Sequence, residues 1–167
     1  LIVGANPRFE ASVLNARIRK RWRQGKLPVG VIGDVGDMRY DYEQLGAGPE
    51  TLKSLADGSG GFYEPLKAAT HPLIIVGLGA ISRSDGAAIL GQAAKLALAV
   101  NAVRDDWNGF SVLHNAAARV GGLDIGFVPG HGGKDAAAML GDSDVLFLLG
   151  ADELDMTATG GAFVVYI

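Results

Sequence analysis

Leu1-Ile2-Val3-Gly4-Ala5-Asn6-Pro7-Arg8-Phe9 reads as a short buried strand running straight into a helix. Leu1, Ile2 and Val3 are apolar without alternation, the pattern of a strand covered on both faces. Gly4 permits a tight turn against a neighbouring backbone or ligand. Asn6 is a good N-cap, and Pro7 then stands at the first helical position, where its missing N–H costs nothing. In a doubly wound sheet such a turn lies at the carboxyl end of the strands, where ligands usually bind. The pattern nearly repeats at Leu146-Phe147-Leu148-Leu149-Gly150-Ala151-Asp152-Glu153. Two strand–Gly-Ala-Asn/Asp turns are therefore expected on one edge of a sheet, with a shallow pocket between Gly4, Asn6, Pro7 and the 150–153 turn.

The intervening chain reads as alternating helices and strands. Phe9, Val13, Leu14, Ile18 and Trp22 recur at helical spacing, which predicts one amphipathic helix from Phe9 to about Arg23. Arg17, Arg19, Lys20, Arg21 and Arg23 fill most of the rest. They read either as a solvated face favoured by the helix dipole or as a docking patch for an acidic partner. Strands are expected at 29–33, 72–77, 145–149 and 163–167, with 40–45 irregular. Shorter helices are expected from Pro49 through Leu55, within 62–69, over 111–120 and at 135–140. Residues 85–100 leave only Gln92 and Lys95 clearly polar inside, which predicts a helix buried nearly all round. This alternation implies parallel βαβ units: an α/β, three-layer, mostly parallel doubly wound sheet.

The 167 residues are one domain by length, 1–167, with 49% hydrophobic and 20% charged residues. A net charge of −3 gives no reason to expect nucleic acid or an anionic membrane as partner. No cysteine is present, which excludes disulfides, thiolate nucleophiles and Cys-ligated zinc or iron–sulfur clusters within this chain. The chain starts and stops in apparent strands, so it is expected to be an excerpt of a longer polypeptide.

Chemical motifs are sparse. Gly77-Leu78-Gly79-Ala80 opens like a dinucleotide fingerprint but lacks the third glycine, and no helix is expected to start promptly after it. His71, His114 and His131 are far apart, without metal-ligand spacing. Asp34, Asp37, Asp41 and Glu43 read as turn chemistry, with a cation site as the alternative. Asp152, Glu153 and Asp155 read as caps of the segment that follows. No catalytic residue and no metal ligand stand out.

The run Gly4-Ala5-Asn6-Pro7-Arg8-Phe9-Glu10-Ala11, continued by Leu14-Asn15-Ala16-Arg17-Ile18-Arg19-Lys20, resembles the large, G-type iron–sulfur subunits of the NADH:quinone oxidoreductases, respiratory complex I. Similar too are Tyr42-Glu43-Gln44-Leu45-Gly46, Arg83-Ser84-Asp85-Gly86-Ala87-Ala88-Ile89, Leu123-Asp124-Ile125-Gly126 and Val145-Leu146-Phe147-Leu148-Leu149-Gly150-Ala151-Asp152. The resemblance covers essentially all 167 residues. It implies a Rossmann-like sheet as in molybdopterin oxidoreductase domains. Gly4, Asn6 and Pro7 would then be a vestigial nucleotide-site turn, matching the turn that holds the guanine-nucleotide end of the pterin in related enzymes. The resemblance implies no cofactor in this chain, with the iron–sulfur clusters of the parent subunit held outside it. The alternative is a domain that still binds a pterin or nucleotide. Implied partners are other peripheral-arm subunits, without nucleic acid or membrane insertion. The implied location is peripheral, at the cytoplasmic face of the bacterial inner membrane or the mitochondrial matrix side. The isolated chain is expected to be catalytically silent and to self-associate.

Overall fold

The opening residues form the central strand of a five-stranded parallel sheet in a computed structural model that describes residues 1–25, 27–116, 118–151 and 153–167. In chain order the elements begin β1 (Ile2–Val3), α1 (Pro7–Glu10), α2 (Ser12–Arg23), β2 (Gly30–Ile32) and β3 (Glu43–Gly46). They continue α3 (Pro49–Ala56), α4 (Tyr63–Lys67), β4 (Ile74–Val76), α5 (Leu78–Ile81) and α6 (Gly86–Ala99). Next come β5 (Val103–Arg104), β6 (Trp107–Asn108), β7 (Phe110–Val112), α7 (Ala118–Asp124) and α8 (Ala136–Asp142). The last are β8 (Val145–Leu148), a 3-10 turn at Met156–Ala158, and β9 (Phe163–Tyr166). Two compact units result, Leu1–Ala116 and Ala117–Ile167.

In the first unit the strand order is β3-β2-β1-β4-β7. Ile2 stands between Val31 and Ile75, and Val3 between Ile32 and Val76. Alternation of side chains splits the strands between two cores. Val3, Ile32, Ile74 and Val76 pack with Leu52, Leu55, Ile89 and Leu96 of α3 and α6. Ile2, Val31 and Ile75 pack on the other face with Leu14, Ile18 and Trp22 of α2. Both faces are thus covered, which explains why these strands are apolar at every position. Each such buried Ile or Val is worth roughly 1.5–3 kcal/mol relative to exposure. The chain moves one way along the sheet on the α2 face and the other way on the α3–α6 face, the arrangement that right-handed crossovers require.

The crossover from β2 to β3 contains no helix. Its loop buries Met38 and Tyr40 on the α2 face, where a helix would otherwise pack. Burial pushes the Tyr40 phenol up to about 12, and its hydroxyl donates to Met38 Sδ at 3.2 Å.

Several expectations are corrected here. The single helix 9–23 is broken at Ala11, whose backbone (φ −151°, ψ 66°) is not helical. Phe9 and Val13 are exposed rather than packed, because the buried ridge is the i, i+4 row Leu14–Ile18–Trp22. Residues 43–45, expected to be irregular with 40–42, belong to the edge strand β3. The helix expected over 111–120 is instead the tail of β7 followed by α7. Helix α6 buries one face only: Gly86, Ile89, Ala93, Leu96 and Ala97 are inside, whereas Leu98 is exposed.

In the second unit β8 and β9 form their own two-stranded parallel sheet, pairing Val145 with Phe163 and Leu148 with Tyr166. Leu146 and Leu148 face inward with Leu140, while Val145, Phe147 and Phe163 are exposed. The strands at 1–3 and 145–149, expected in one sheet, belong to two separate sheets. The pocket expected between Gly4, Asn6, Pro7 and the 150–153 turn includes Asp152, which lies outside the described residues.

Candidate functional site

The order of the sheet reverses between β1 and β4, the switch point at which doubly wound sheets open a crevice. The turns after these two strands meet there with no space to spare. A Cβ on Gly4 would stand 2.6 Å from Ala80 Cβ, and one on Gly77 would stand 2.4 Å from the Gly4 carbonyl oxygen. Gly4 also has φ +57°, the left-handed region that glycine enters freely. Contrary to expectation, α5 starts directly after Gly77, so the Gly77-Leu78-Gly79-Ala80 segment is a strand–turn–helix packed onto the first turn.

Asn6 is held on every side. Its Oδ1 accepts the Arg8 N–H at 3.0 Å, capping α1, and its Nδ2 donates to the Val35 carbonyl. Its backbone N–H donates to the Glu10 carboxylate. Pro7 is fully buried at the first helical position. Arg8 extends the tie to the β2–β3 loop, pairing with the Asp37 carboxylate at 3.0 Å. The Arg39 backbone N–H, then the Arg39 and Arg8 guanidiniums, hold the Asp37 carboxyl below its ordinary 3.8. Gly4, Asn6 and Pro7 are thus brought together as the hinge between β1, α1 and the 33–42 loop. Glu10 completes this constellation. Its carboxylate stands one residue beyond the capping-box position and still reaches back to the N-cap N–H, so the usual three-residue signature does not reveal it.

A cleft of about 630 Å³ opens above these turns, bounded by Asn6, Phe9, Asp34, Pro49, Arg83 and Asn115. Glu10 and Asp34 put two carboxylates on its wall, and Arg83 is its one cation among the described residues. That guanidinium is already forked onto Asp85 at 2.7 and 2.9 Å. The backbone N–H groups of Gly4, Gly33 and Gly77 are spent on Ile32, Gly46 and Val3 carbonyls.

The other candidates do not converge. His71 packs at a tilt against Trp107 ahead of β4, His114 follows β7 at the opposite end of the sheet, and His131 belongs to the second unit. Among the described residues no group of His, Asp and Glu could hold a metal ion. Asp155 caps the 3-10 turn, accepting from the Thr157 N–H at 3.0 Å and its hydroxyl at 2.6 Å. No helix among the described residues is long and apolar enough to cross a membrane.

A family model for molybdopterin oxidoreductases matches residues 1–167. The chain belongs to that family. Its relatives include the G-type subunit of the NADH-quinone oxidoreductase of Rickettsia bellii, 46% identical over 166 residues, which are 99% of this chain and 24% of that protein. The mitochondrial NADH dehydrogenase (ubiquinone) iron-sulfur protein 1 of Solanum tuberosum is 40% identical over 167 residues, 99% of this chain and 22% of that protein. The mitochondrial 78 kDa subunit of the NADH-ubiquinone oxidoreductase of Neurospora crassa is 39% identical over 170 residues, again 99% and 22%. The chain spans about a quarter of the length of the curated relatives it matches.

Membership in the molybdopterin oxidoreductases raises the question whether this cleft fits a pterin nucleotide. Such a ligand is anionic and needs free donors or cations along its phosphates. The cleft offers a paired Arg83, two carboxylates, and Gly4, Gly33 and Gly77 amides already used within the fold. The side-chain amide of Asn6 spends its oxygen on the α1 cap and one of its two N–H donors on the Val35 carbonyl. The residues present do not fit the group.

Proposed function

We propose that this chain is a structural domain of a G-type subunit of NADH:quinone oxidoreductase, part of the electron-transferring peripheral arm and without catalysis of its own. The observation that carries the reading is the internal consumption of the turn at Gly4, Asn6 and Pro7. A nucleotide site keeps such groups free for its ligand, whereas here they tie β1, α1 and the 33–42 loop together. The turn is a vestige of a nucleotide site that now serves the architecture. Kinship with proteins named as complex I subunits supplies the assembly.

On this reading the parent subunit holds its iron–sulfur clusters outside these residues, since no cysteine exists here to ligate one. Partners are neighbouring peripheral-arm subunits, and the domain sits beside the membrane, at its cytoplasmic or matrix side, without entering it.

The test is metal and pterin analysis of the purified chain, together with NADH oxidation using ferricyanide or quinone acceptors. Neither stoichiometric molybdenum or pterin nor turnover is expected. Stoichiometric pterin, or activity that persists with flavin content accounted for, would overturn the reading in favour of a ligand-binding oxidoreductase domain.

A further inference from the structure

A groove of about 580 Å³ runs between α2 and the turn at 37–39, and its wall is cationic. Arg8, Arg19, Lys20, Arg23 and Arg39 line it, and no carboxylate does. Asp37, just outside, bridges Arg8 and Arg39 at 3.0 and 3.1 Å. No such carboxylate offsets the other three. The sequence contains no Asp or Glu from Ala11 to Gly33. Among the described residues Lys20 and Arg23 make no ion pair, and Arg19 is fixed only by donating to the Arg39 carbonyl at 3.1 Å.

The helix dipole favours cations near the end of α2, and Asp37 draws Arg8 and Arg39 to the same groove from two other elements. The rest of the chain leans the other way, with a net charge of −3. A concentrated basic groove on an acidic protein steers an anionic partner to one place. Four of the five cations are arginines, whose planar forks suit carboxylates two bonds at a time. The lining holds no aromatic ring on which a base could stack, and Ala16 is its one apolar side chain, too small to enter a bilayer.

We propose that this groove docks a carboxylate-rich polypeptide segment of a partner protein. The groove's chemistry is the same whichever assembly carries the chain, so its failure and that of the respiratory reading are separable.

The probe is a fluorescein-labelled hexaglutamate peptide titrated into the 167-residue chain at low and at physiological salt. Saturable binding is expected, weakened about tenfold by Lys20→Glu/Arg23→Glu. Among the described residues neither side chain makes an ion pair or hydrogen bond, so circular dichroism should be unchanged. The pair Lys67→Glu/Arg119→Glu alters net charge equally and should weaken binding less than about twofold. The milder Lys20→Gln/Arg23→Gln should fall between these limits, and it keeps the test available should the reversal disturb folding. Absence of saturable binding, or equal weakening by both reversal pairs, would overturn the proposal. So would tighter retention, through the same residues, on phosphatidylglycerol vesicles or an oligothymidine strand than on the peptide.

Discussion

Replacing Gly77 by Ala isolates the contact between the two central turns. Gly77 has φ −100° and ψ 167°, a conformation open to any residue, so backbone strain does not contribute. The new methyl would meet the Gly4 carbonyl oxygen at 2.4 Å, Ala5 Cβ at 2.5 Å and Ala5 Cα at 2.8 Å. Two of the three atoms are backbone, and the third is a Cβ fixed to it, so no rotamer change relieves the clash. Separating the turns would draw on the ladder bonds between β1 and β4 and on the tie from the Gly77 N–H to the Val3 carbonyl, 2.8 Å. Overpacking of this kind costs about 3 kcal/mol, the upper part of the usual range, because both sides are rigid. With a urea slope of about 1.5 kcal/mol per molar, the unfolding midpoint should fall by roughly 2 M. Trp22 and Trp107 both lie in the first unit, so their fluorescence follows the part concerned. Gly91 is the control: it is exposed on α6 with nothing within 4 Å of an added Cβ. Gly91→Ala should stabilise by about 0.5–1 kcal/mol through helix propensity. A midpoint for Gly77→Ala within about 0.3 M of the parent would refute the reasoning, since the turns would then yield to each other at little cost.

Asn6→Ala removes the α1 cap and leaves the Val35 carbonyl without its donor, so about 1–2 kcal/mol should be lost in the same urea assay. Asn6→Asp keeps the cap acceptor and should lose less. Hydrogen bonds from Lys53, then Lys95, lower the Asp57 carboxyl from 3.8 to about 2. Its folded value lies below its unfolded one, so its stabilisation is complete above pH 3.8 and disappears as pH falls through 2. Asp57→Asn should therefore flatten the acid limb of a stability–pH profile in that window, and an unchanged limb would show that the two lysines contribute nothing there. The exposed Phe163 and Ile167 beside Val165 should let the chain self-associate, read by light scattering over a concentration series. Val165→Lys should reduce that association, and a strictly monomeric parent would contradict the expectation.

The sequence made the doubly wound character visible through runs such as Ile2-Val3 and Ile74-Ile75-Val76, because burial on both faces removes alternation and leaves a plain apolar signal. The Gly4–Pro7 turn was legible for a similar reason, since cap and proline preferences are local chemistry. Edge strands escaped. Glu43-Gln44-Leu45-Gly46 is polar and half open, and its strand identity comes from pairing with β2 rather than from its own pattern. Phe110-Ser111-Val112 likewise takes its place only through β4. The misplacement of Phe9 and Val13 had another cause: apolar spacing was counted across Ala11, where the helix is interrupted. At the site, sequence located the turn but not its self-satisfaction. The groups that consume Asn6 come from partners up to 29 residues away, and no local rule reaches that far.

The helix-free crossover between β2 and β3 also bears on oxidation chemistry. Its Met38 is completely enclosed, whereas the other two methionines, Met139 and Met156, are 44% and 41% exposed in the second unit. Peroxide should convert the exposed pair to sulfoxides first. Met38 can react only during intervals when the 33–42 loop and α2 part from each other or from the sheet. The third oxygen added to the intact protein therefore acts as a clock for opening of the first unit. Once added, it would work against reclosure: a sulfoxide is larger and polar, and the enclosure around Met38 was shaped for neither property.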